Sequence, residues 1–389
     1  MPEPDQPLRI LFCAPAYWPA TEFGGPVAVA RQLTEGLVRA GHAVTVLTTS
    51  LDSATRPPAA RLRTRKDTVG GVDVRYLATP LRFHWMGITP SLPLNWPVER
   101  ADVVHVFGYR DVVTTLGAAW ARRAGIPYVF EPLGMFVPQF RSMRLKRAFD
   151  RTLGVRVGRG AAVVVVNSAL ERRQLAAAGL PEEVIEVRPN GFPHVEQGPP
   201  SGHLRERIGL DRSTPLVLNV GRVSFKKGLD LLVRAIAPLE GVHVALVGPD
   251  DRDGTLERLE ALSAELGLGE RLHLVGPLDT SRPHDVYGDA DVFALPSRDE
   301  SFGMAVAEAA SSGVAIVVSD RCGVAELLGD AAVVIPPEVE ATRKAVAGLL
   351  ADPDRSRALG EAARERARSV SWDAVVERQI ELYRLALGR

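Results

Sequence analysis

Residues 8–49 read LRILFCAPAYWPATEFGGPVAVARQLTEGLVRAGHAVTVLTT, and this stretch decides the fold class. The apolar run LRILFCA is followed by a break at TEFGGP, by VAVARQLTEGLVRA with apolar residues at helical spacing, and by the β-branched run HAVTVLTT. Gly41 is suited to end the helix between the two strands. A strand, a helix and a second strand form a βαβ unit, which predicts a parallel sheet covered by helices.

The same alternation continues along the chain and then restarts. Further predicted strands are VDVRYL, DVVHVF, PYVFE and AVVVVNS. A loop rich in proline and glycine runs from Glu186 to His203, and a second series follows with strands PLVLNVG, VHVALVG, RLHLVG, DVFALPS, AIVVSD and AAVVI. Helices are predicted at GLDLLVRAIAPL, at TLERLEALSAELG and from about Met304. We therefore predict an α/β protein with two doubly wound, Rossmann-like parallel-sheet domains facing a central cleft.

Composition narrows the function classes. The 389 residues carry 47 basic and 47 acidic side chains, so a formal net charge of zero gives no overall attraction to nucleic acid. Two cysteines far apart, Cys13 and Cys322, indicate reduced thiols of a cytosolic protein rather than a disulfide or a catalytic thiol. We see no signal peptide and no apolar run of about 18 residues. We expect a cytoplasmic protein and leave open a peripheral position on the inner face of a membrane.

The stretch NVGRVSFKKGLDLLV supplies two candidate anion ligands. Arg222 follows directly after a predicted strand, and Lys227 lies at the start of the next helix. Strand ends of this kind point into the cleft, and the helix N-terminus adds positive potential. Arg222 through its planar fork and Lys227 as a point charge are suited to hold a diphosphate. The alternative is a pair of solvated basic residues, which is the interpretation we give to Lys226.

A second stretch, SRDESFGMAVAEAASSGVAIVVSD from Ser297 to Asp320, supplies two carboxylates. Glu300 falls in the loop after a predicted strand, Gly303 allows a ligand to approach the backbone, and Glu308 lies one to two turns inside the following helix. Carboxylates accept hydrogen bonds from hydroxyl groups. Two of them beside a phosphate-binding helix start suit a nucleotide sugar, which has a ribose at one end of its diphosphate and a hexose at the other. Taken singly, each is better explained as a surface acid: Glu300 in an exposed loop and Glu308 on a helix surface.

These motifs resemble family 4 of the retaining glycosyltransferases, which have the GT-B fold. The resemblance is carried by GRVSFKKG, LVGPDD, LVGPL, the paired-glutamate stretch, SDRCGVAEL and the N-terminal FGGP, and it extends to SWDAVVERQIELY near the end. It implies an acceptor-side domain over residues 1–192, a nucleotide-sugar-binding domain over 193–371, and a final helix over 372–389 that crosses back to the first domain. Trp372 and Tyr383 are expected to anchor that crossing.

The resemblance also implies a role for individual residues. Arg222 and Lys227 resemble the diphosphate clamp, Glu300 the residue that orients the donor sugar, and Glu308 the ribose-binding glutamate. Glycine amides of the N-terminal loop are expected against the donor phosphate, and a turn in the second domain is expected to line the base pocket. The expected donor-binding set is Gly24, Gly25, Gly276, Leu278, Phe302, Gly303, Met304 and Glu308.

One position departs from the family pattern. Where relatives often carry a histidine after the strand PYVFE, this chain has Leu133, with Glu131 two residues earlier. His105 in ADVVHVFG matches another common family histidine and is expected to end its strand and line the cleft, with a structural histidine as the alternative. Glu131 is a weaker candidate for acceptor contact. The departure puts a histidine-assisted step in doubt but not donor binding.

No metal or other cofactor is expected. Asp251 and Asp253 in GPDDRDG have metal-ligand spacing, but the stretch precedes a helix, and Asp253 is interpreted as a helix-start residue. No Cys/His spacing typical of zinc sites occurs. Enzymes of the GT-B fold generally neutralise the leaving diphosphate with side-chain cations and helix dipoles.

The segment RSMRLKRAFDRTLGVRVGRG, residues 141–160, predicts a basic amphipathic helix. Its basic and apolar side chains alternate at helical spacing and are Arg141, Arg144, Lys146, Arg147, Arg151, Arg156 and Arg159 with Leu145, Phe149, Leu153 and Val157. Such a helix over 141–159 can lie on anionic lipid, or it can pack inward with a solvated basic face. Analogy with membrane-associated relatives favours a lipid-linked acceptor.

The resulting prediction is a retaining hexosyltransferase that moves a sugar from a nucleoside-diphosphate sugar to a saccharide or lipid-linked acceptor in cell-envelope polysaccharide or glycolipid synthesis. Two alternatives remain. One is a nucleotide-sugar-binding protein with weak or no turnover, and the other is a different GT-B activity, an epimerase or a phosphorylase. The second alternative requires an acid/base set that the sequence does not supply.

Overall fold

The computed structural model describes residues 6–52, 63–83, 86–90, 92, 101–138, 142–195, 200–278 and 284–388. The chain divides into two compact units. Unit 1 comprises Met1–Asn190 together with Trp372–Arg389, and unit 2 comprises Gly191–Ser371.

Unit 1 is built on an eight-stranded sheet in the order β10-β9-β8-β7-β1-β2-β4-β3. All neighbouring strands are parallel except β3, which pairs antiparallel with β4 at one edge. A separate hairpin is formed by β5 and β6. The strands are β1 Arg9–Cys13, β2 Ala43–Thr49, β3 Arg65–Val69, β4 Val72–Leu77, β5 Leu81–Phe83, β6 Met86–Ile88, β7 Val103–Phe107, β8 Tyr128–Glu131, β9 Val163–Val166 and β10 Ile185–Val187.

Helices follow the parallel strands of unit 1, and the last helix of the chain joins them. They are α1 Gly25–Arg39, α2 Val112–Ala124, α3 Met143–Phe149, α4 Val155–Arg159, α5 Ala169–Ala177 and α14 Trp372–Gly388. The last of these, α14, packs so closely on α1 that a side chain at Gly36 would clash with Val376. Its buried Tyr383 forms a hydrogen bond with His105 of β7, so α14 is part of the packing of unit 1.

Unit 2 has a six-stranded parallel sheet in the order β13-β12-β11-β14-β15-β16. The strands are β11 Leu216–Val220, β12 His243–Val247, β13 Leu272–Gly276, β14 Val292–Leu295, β15 Ala315–Ser319 and β16 Val333–Ile335. The helices are α6 His203–Arg207, α7 Leu229–Ile236, α8 Thr255–Glu265, α9 His284–Tyr287, α10 Met304–Ser312, α11 Ala325–Leu328, α12 Val339–Leu350 and α13 Pro353–Arg368.

The sheet of unit 2 is buried on both faces, which explains why its strands read as continuous apolar runs. Neighbouring residues of one strand belong to different core clusters: Leu218 and Phe293 lie in one, and Val217 and Ala294 in the other. A parallel sheet needs crossover helices, and these cover both faces. The predicted doubly wound α/β architecture is confirmed for each unit.

Two segments differ from the predictions. The loop predicted from Glu186 begins later, because Ile185–Val187 pairs with β9 as the edge strand β10. The predicted basic helix is divided by a π-helical turn over Asp150–Gly154, between α3 and α4. At this turn Gly154 lies against the hydroxyl of Tyr109, with no space for a larger side chain. Arg141 lies outside the described residues.

Cys13 and Cys322 are both buried free thiols. Within the described ranges, we find no helix that combines the length and the apolarity required to cross a membrane.

A stability prediction comes from the start of α2. The buried Asp111 caps this helix by accepting hydrogen bonds from the amides of Val113 and Thr114. Burial raises its pKa to about 6, although these amides lower it. In the unfolded chain an aspartate titrates near pH ~4, so the folded state loses stability as the pH rises from about 4 through about 6. Substitution of Asp111 by Asn keeps the capping oxygen and removes this loss.

We therefore expect Asp111→Asn to be more stable than the wild type at pH 8, by a margin that disappears toward pH 4. Asp111→Ala removes the cap and should cost about 1 kcal/mol. Urea unfolding of the three proteins across this pH range measures both effects. Asp352→Asn is the matched control, because Asp352 caps α13 in the same way but is exposed. If the free energies of unfolding of wild type and Asp111→Asn changed in parallel with pH, the prediction would be contradicted.

Candidate functional site

The candidate site in unit 2 lies where the strand order reverses. The first strand of the unit, β11, pairs with β12 on one side and with β14 on the other. The loops that leave β11 and β14 turn in opposite directions, so a crevice opens between them at the carboxyl edge of the sheet. Arg222 and Lys227 are in the loop after β11, and Glu300 is in the loop after β14.

Lys227 and Glu300 meet across this crevice. The Nζ atom of Lys227 donates to Oε2 of Glu300 at 2.6 Å, and the two side chains are 16% and 15% exposed. Burial by itself would raise the pKa of Glu300, but the positive charges of Lys227, Lys226 and Arg222 lower it to about 2. The carboxylate is therefore ionised at every pH near neutrality.

The other two cations of the loop are also paired. Arg222 contacts Asp251 at 3.1 Å and remains half-exposed, and Lys226 lies 3.4 Å from Asp299. Lys226, predicted to be a solvated neighbour, keeps 36% of its side chain exposed; desolvation lowers its pKa, but the nearby carboxylates of Glu300 and Asp299 raise it by more. Sequence spacing did not reveal these pairs, because each partner lies on a different loop.

Glu308 is the fifth residue of α10. Its Oε2 accepts a hydrogen bond of 2.5 Å from the hydroxyl of Tyr287, which is fully buried. Burial raises the pKa of Glu308, while Tyr287 and the charge of Lys227 lower it. The charge of Lys227 therefore acts on both glutamates.

The loop that carries Glu300 is fixed by the segment after β15. The amide of Glu300 donates to Arg321 O, and its carbonyl accepts from the amide of Gly323. Gly303 has φ 102°, a region that favours glycine, and a Cβ there would lie 2.5 Å from Cys322 Sγ. The side chain of Phe302, one of the predicted donor-binding residues, is buried in the core of unit 2.

The other predicted donor-binding residues lie at or near the ends of strands and helices. Met304 begins α10, Gly276 ends β13, and Leu278 is partly buried. This edge is continuous with the β11 edge, because Gly248 after β12 donates to Gly276 O. In unit 1, Gly24 directly precedes α1 and Gly25 is its first residue.

His105 does not lie at the end of a strand and does not line an open surface, and that prediction is corrected. It is the middle residue of β7 and has no exposed surface. Its Nδ1 lies 2.7 Å from the Tyr383 hydroxyl, and its Nε2 lies 3.2 Å from Glu131 Oε2. Burial lowers the pKa of His105 despite the nearby carboxylate, so the ring is a neutral structural group.

Glu131 is likewise committed to the interior of unit 1. Its Oε1 accepts from Arg188 Nη2 at 2.6 Å, and both side chains are completely buried. Glu131 was predicted as a possible acceptor contact, but its carboxylate is not exposed in the structure. Leu133 has φ 56° at the turn after β8, and the next amide, of Gly134, donates to the buried Glu171 at 2.6 Å.

Asp251 and Asp253 serve the loops around the site. Asp253 accepts from the amides of Phe225 and Thr255, so it connects the loop after β11 to the start of α8. Across the ranges that the structure describes, no group of three or more His, Cys, Asp or Glu side chains is arranged to hold a metal ion.

The chain matches two protein-family models in succession. Residues 24–191 match a glycosyl transferase 4-like domain, and residues 202–366 match glycosyl transferases group 1. A D-inositol 3-phosphate glycosyltransferase from Thermomonospora curvata is 30% identical over 375 residues, with 86% of this chain and 85% of the relative aligned. A protein of the same name from Nocardia farcinica is 35% identical, but the alignment covers 58% of this chain and about half, 52%, of the relative.

Solved structures have the same fold. Sucrose-phosphate synthase from Thermosynechococcus elongatus aligns with a TM-score of 0.78 at 22% identity over 97% of this chain and 98% of that one. HepE from Anabaena, in complex with UDP and glucose, aligns with a TM-score of 0.75 at 18% identity over 96% and 98%. The family models and the near full-length relative lead to one conclusion: the chain belongs to the group 1 glycosyltransferases with a 4-like N-terminal domain, and its two α/β units form the GT-B fold.

Proposed function

We propose that the chain is a retaining hexosyltransferase that uses a nucleoside-diphosphate sugar and a saccharide or lipid-linked acceptor of the cell envelope. The observation that carries the proposal is the Lys227–Glu300 contact at the strand-order reversal of unit 2, with Arg222 and Glu308 beside it. The complexes of HepE with UDP and with UDP-glucose support a donor of this class.

Donor binding would exchange ion-pair partners. In the structure, Lys227 is neutralised by Glu300 and Arg222 by Asp251. A diphosphate offers both cations stronger anionic acceptors, so Lys227 and Arg222 turn to its oxygens. Glu300 is then released to accept a hydrogen bond from a hydroxyl of the donor sugar. Glu308, fixed through one oxygen by Tyr287, accepts from the ribose through the other.

The chemical step follows from where charge develops. The bond between the anomeric carbon and the phosphate oxygen breaks, and Lys227, Arg222 and the amides at the start of α10 stabilise the negative charge on the leaving diphosphate. The acceptor hydroxyl oxygen bonds to the anomeric carbon on the same face. Its proton passes to an oxygen of the leaving phosphate, so no side-chain base is required. A buried, neutral His105 is compatible with this route.

Direct assay tests the proposal. The protein is incubated with radiolabelled UDP- and GDP-sugars and membrane extract, with free saccharides and D-inositol 3-phosphate as further acceptors. A labelled product with retained anomeric configuration supports the proposal. Tight donor binding without product identifies a binding protein, and conversion of the free donor sugar identifies an epimerase.

We predict that Lys227→Ala weakens binding of the nucleoside diphosphate about 10- to 100-fold, because a hydrogen bond to a charged group contributes about 1.5–3 kcal/mol. Isothermal titration with UDP, GDP and ADP measures the loss. Lys344→Ala removes an exposed lysine of the same unit and is the control, with unchanged affinity expected. Equal affinities of wild type and Lys227→Ala would refute the diphosphate clamp.

Glu300→Gln should separate binding from transfer. The neutral amide keeps the shape and no longer competes for Lys227, so affinity for the nucleoside diphosphate is expected to be retained or to increase, while turnover falls about 100-fold or more. Comparison of single-turnover rates with affinities distinguishes the two effects. Undiminished turnover would exclude Glu300 from the reaction.

Glu308 is predicted to read the ribose. Wild type is expected to bind the nucleoside diphosphate about tenfold more tightly than its 2′-deoxy or 3′-deoxy form, because the buried carboxylate loses a partner. Glu308→Ala should bind both forms equally weakly. Tyr287→Phe, which removes the other partner of Glu308, should retain part of the preference. A ribose preference that survives in Glu308→Ala would assign the ribose to another residue.

The proposed lipid-linked acceptor is supported by the surface of the segment 142–159 in unit 1. Its apolar residues face two ways: Val157 and Phe149 pack inward, whereas Leu145 and Leu153 are 55% and 48% exposed. Exposed arginines lie among them, namely Arg144, Arg147, Arg151, Arg156 and Arg159. Exposed leucines among basic side chains suit an anionic bilayer surface.

We predict that the protein sediments with vesicles containing anionic lipid and is released by high salt. Leu145→Ser/Leu153→Ser should weaken this binding about tenfold, because each leucine buries apolar surface in the bilayer. The control is Leu385→Ser, which changes an exposed leucine on α14. Equal sedimentation of the double variant and the control would place the lipid contact elsewhere or exclude it.

A further inference from the structure

Arg298 connects the two loops that form the candidate site. It lies in the loop after β14, and its backbone amide donates to Lys226 O at 2.9 Å. Its guanidinium donates to both carboxylate oxygens of Asp230 at 2.7 Å, and also to Phe225 O at 2.9 Å. The same group lies 4.1 Å from the centre of the Phe225 ring. One side chain therefore connects the β14 loop, the turn at Phe225–Lys227 and the first turn of α7.

These contacts flank the pair of Lys227 and Glu300 in both loops. Lys226 directly precedes Lys227, and Arg298 precedes Glu300 by two residues. On the far side of Lys227, Gly228 packs on the carbonyl of Pro296, where a side chain would clash with the backbone. The turn that carries Lys227 is thus held against the β14 loop on both sides.

The chemistry of the contacts requires an arginine. A planar guanidinium can bind a carboxylate with two parallel hydrogen bonds, reach a carbonyl with the same nitrogen and stack on a ring at once. Asp230 is well placed as the partner, because an acidic side chain in the first turn of a helix is stabilised by the helix dipole. A lysine would keep the charge but lose the fork and most of the stacking.

We infer that Arg298, fixed by Asp230, is a positioning residue that holds Lys227 and Glu300 at the separation the donor diphosphate requires. The inference rests on the proposed function. Arg298 itself points to Asp230 and Phe225, so it acts through Lys227 rather than on the ligand. Ordering the loop before binding removes part of the entropy cost that a mobile lysine would incur.

A double-mutant cycle tests this role. Arg298→Ala, Arg298→Lys and Asp230→Asn are each made alone and in the Lys227→Ala background, and titration calorimetry measures binding of the nucleoside diphosphate that wild type prefers among UDP, GDP and ADP. Arg234→Ala is the matched control, because Arg234 is also on α7 but is half-exposed and 3.9 Å from its acidic partner. Melting temperatures are recorded for every variant.

If Arg298 positions Lys227, Arg298→Ala weakens binding about tenfold or more alone and less than about twofold in the Lys227→Ala background. Arg298→Lys recovers little of the loss, Asp230→Asn is intermediate, and Arg234→Ala binds like wild type. A lower melting temperature with unchanged affinity, or the same loss in both backgrounds, overturns the inference. If Arg298→Ala does not fold, the binding losses caused by Arg298→Lys and Asp230→Asn, each with and without Lys227→Ala, test the inference instead.

Failure of the proposed function has a different signature. Wild type would then bind none of the three diphosphates, and the proposed function and the positioning role would fall together. Binding by wild type that depends on Lys227 but not on Arg298 overturns the positioning role alone.

Discussion

The contact between the ammonium of Lys227 and the carboxylate of Glu300 is the interaction on which the candidate site depends. It spans the crevice that a doubly wound sheet opens where its strand order reverses. An apolar contact at this place would close the crevice. A pair of opposite charges at 2.6 Å connects the two loops, and in the proposed function the charges of a ligand would replace the contact. The fold provides the crevice, and the ion pair connects its two sides without closing it by apolar packing.

The acidic partners of Lys227 and Arg222 stabilise these cations but would also compete with an anionic ligand for them. An unpaired lysine with 16% exposure would lose much of its hydration, and the ion pair with Glu300 offsets that loss. The proposed diphosphate would have to compete with Glu300 for Lys227 and with Asp251 for Arg222. It would do so better than a singly charged anion, because it presents two groups of oxygens to two cations. On this proposal, the acidic side chains would favour a doubly anionic ligand.

Most of the fold and half of the site follow from local sequence patterns. Apolar runs and helical spacing predict each strand that pairs with β11 and β14, and the residue types at the strand ends predict Arg222, Lys227, Glu300 and Glu308. The ion pair between Arg298 and Asp230 could not be predicted, because the two residues are 68 positions apart and each resembles an ordinary surface charge. The position of His105 was predicted wrongly because its surroundings in the sequence do not show which way its ring faces. A histidine in an apolar strand has the same local pattern whether its ring faces a ligand or a buried glutamate.

The same kind of interaction has different consequences in the two units. In unit 1 the pair of Glu131 with Arg188, together with His105 and Tyr383, is wholly buried and connects β7, β8 and β10 to the final helix. Removing Glu131 or Arg188 would leave a buried charge without its partner. The hydrogen bond between His105 and Tyr383 connects this network to α14. In unit 2 the pair of Lys227 with Glu300 keeps about one-sixth of its side-chain surface exposed, so the proposed diphosphate would have access to Lys227 in place of Glu300. Exposure, rather than the pairing itself, distinguishes this pair from the buried pair of unit 1.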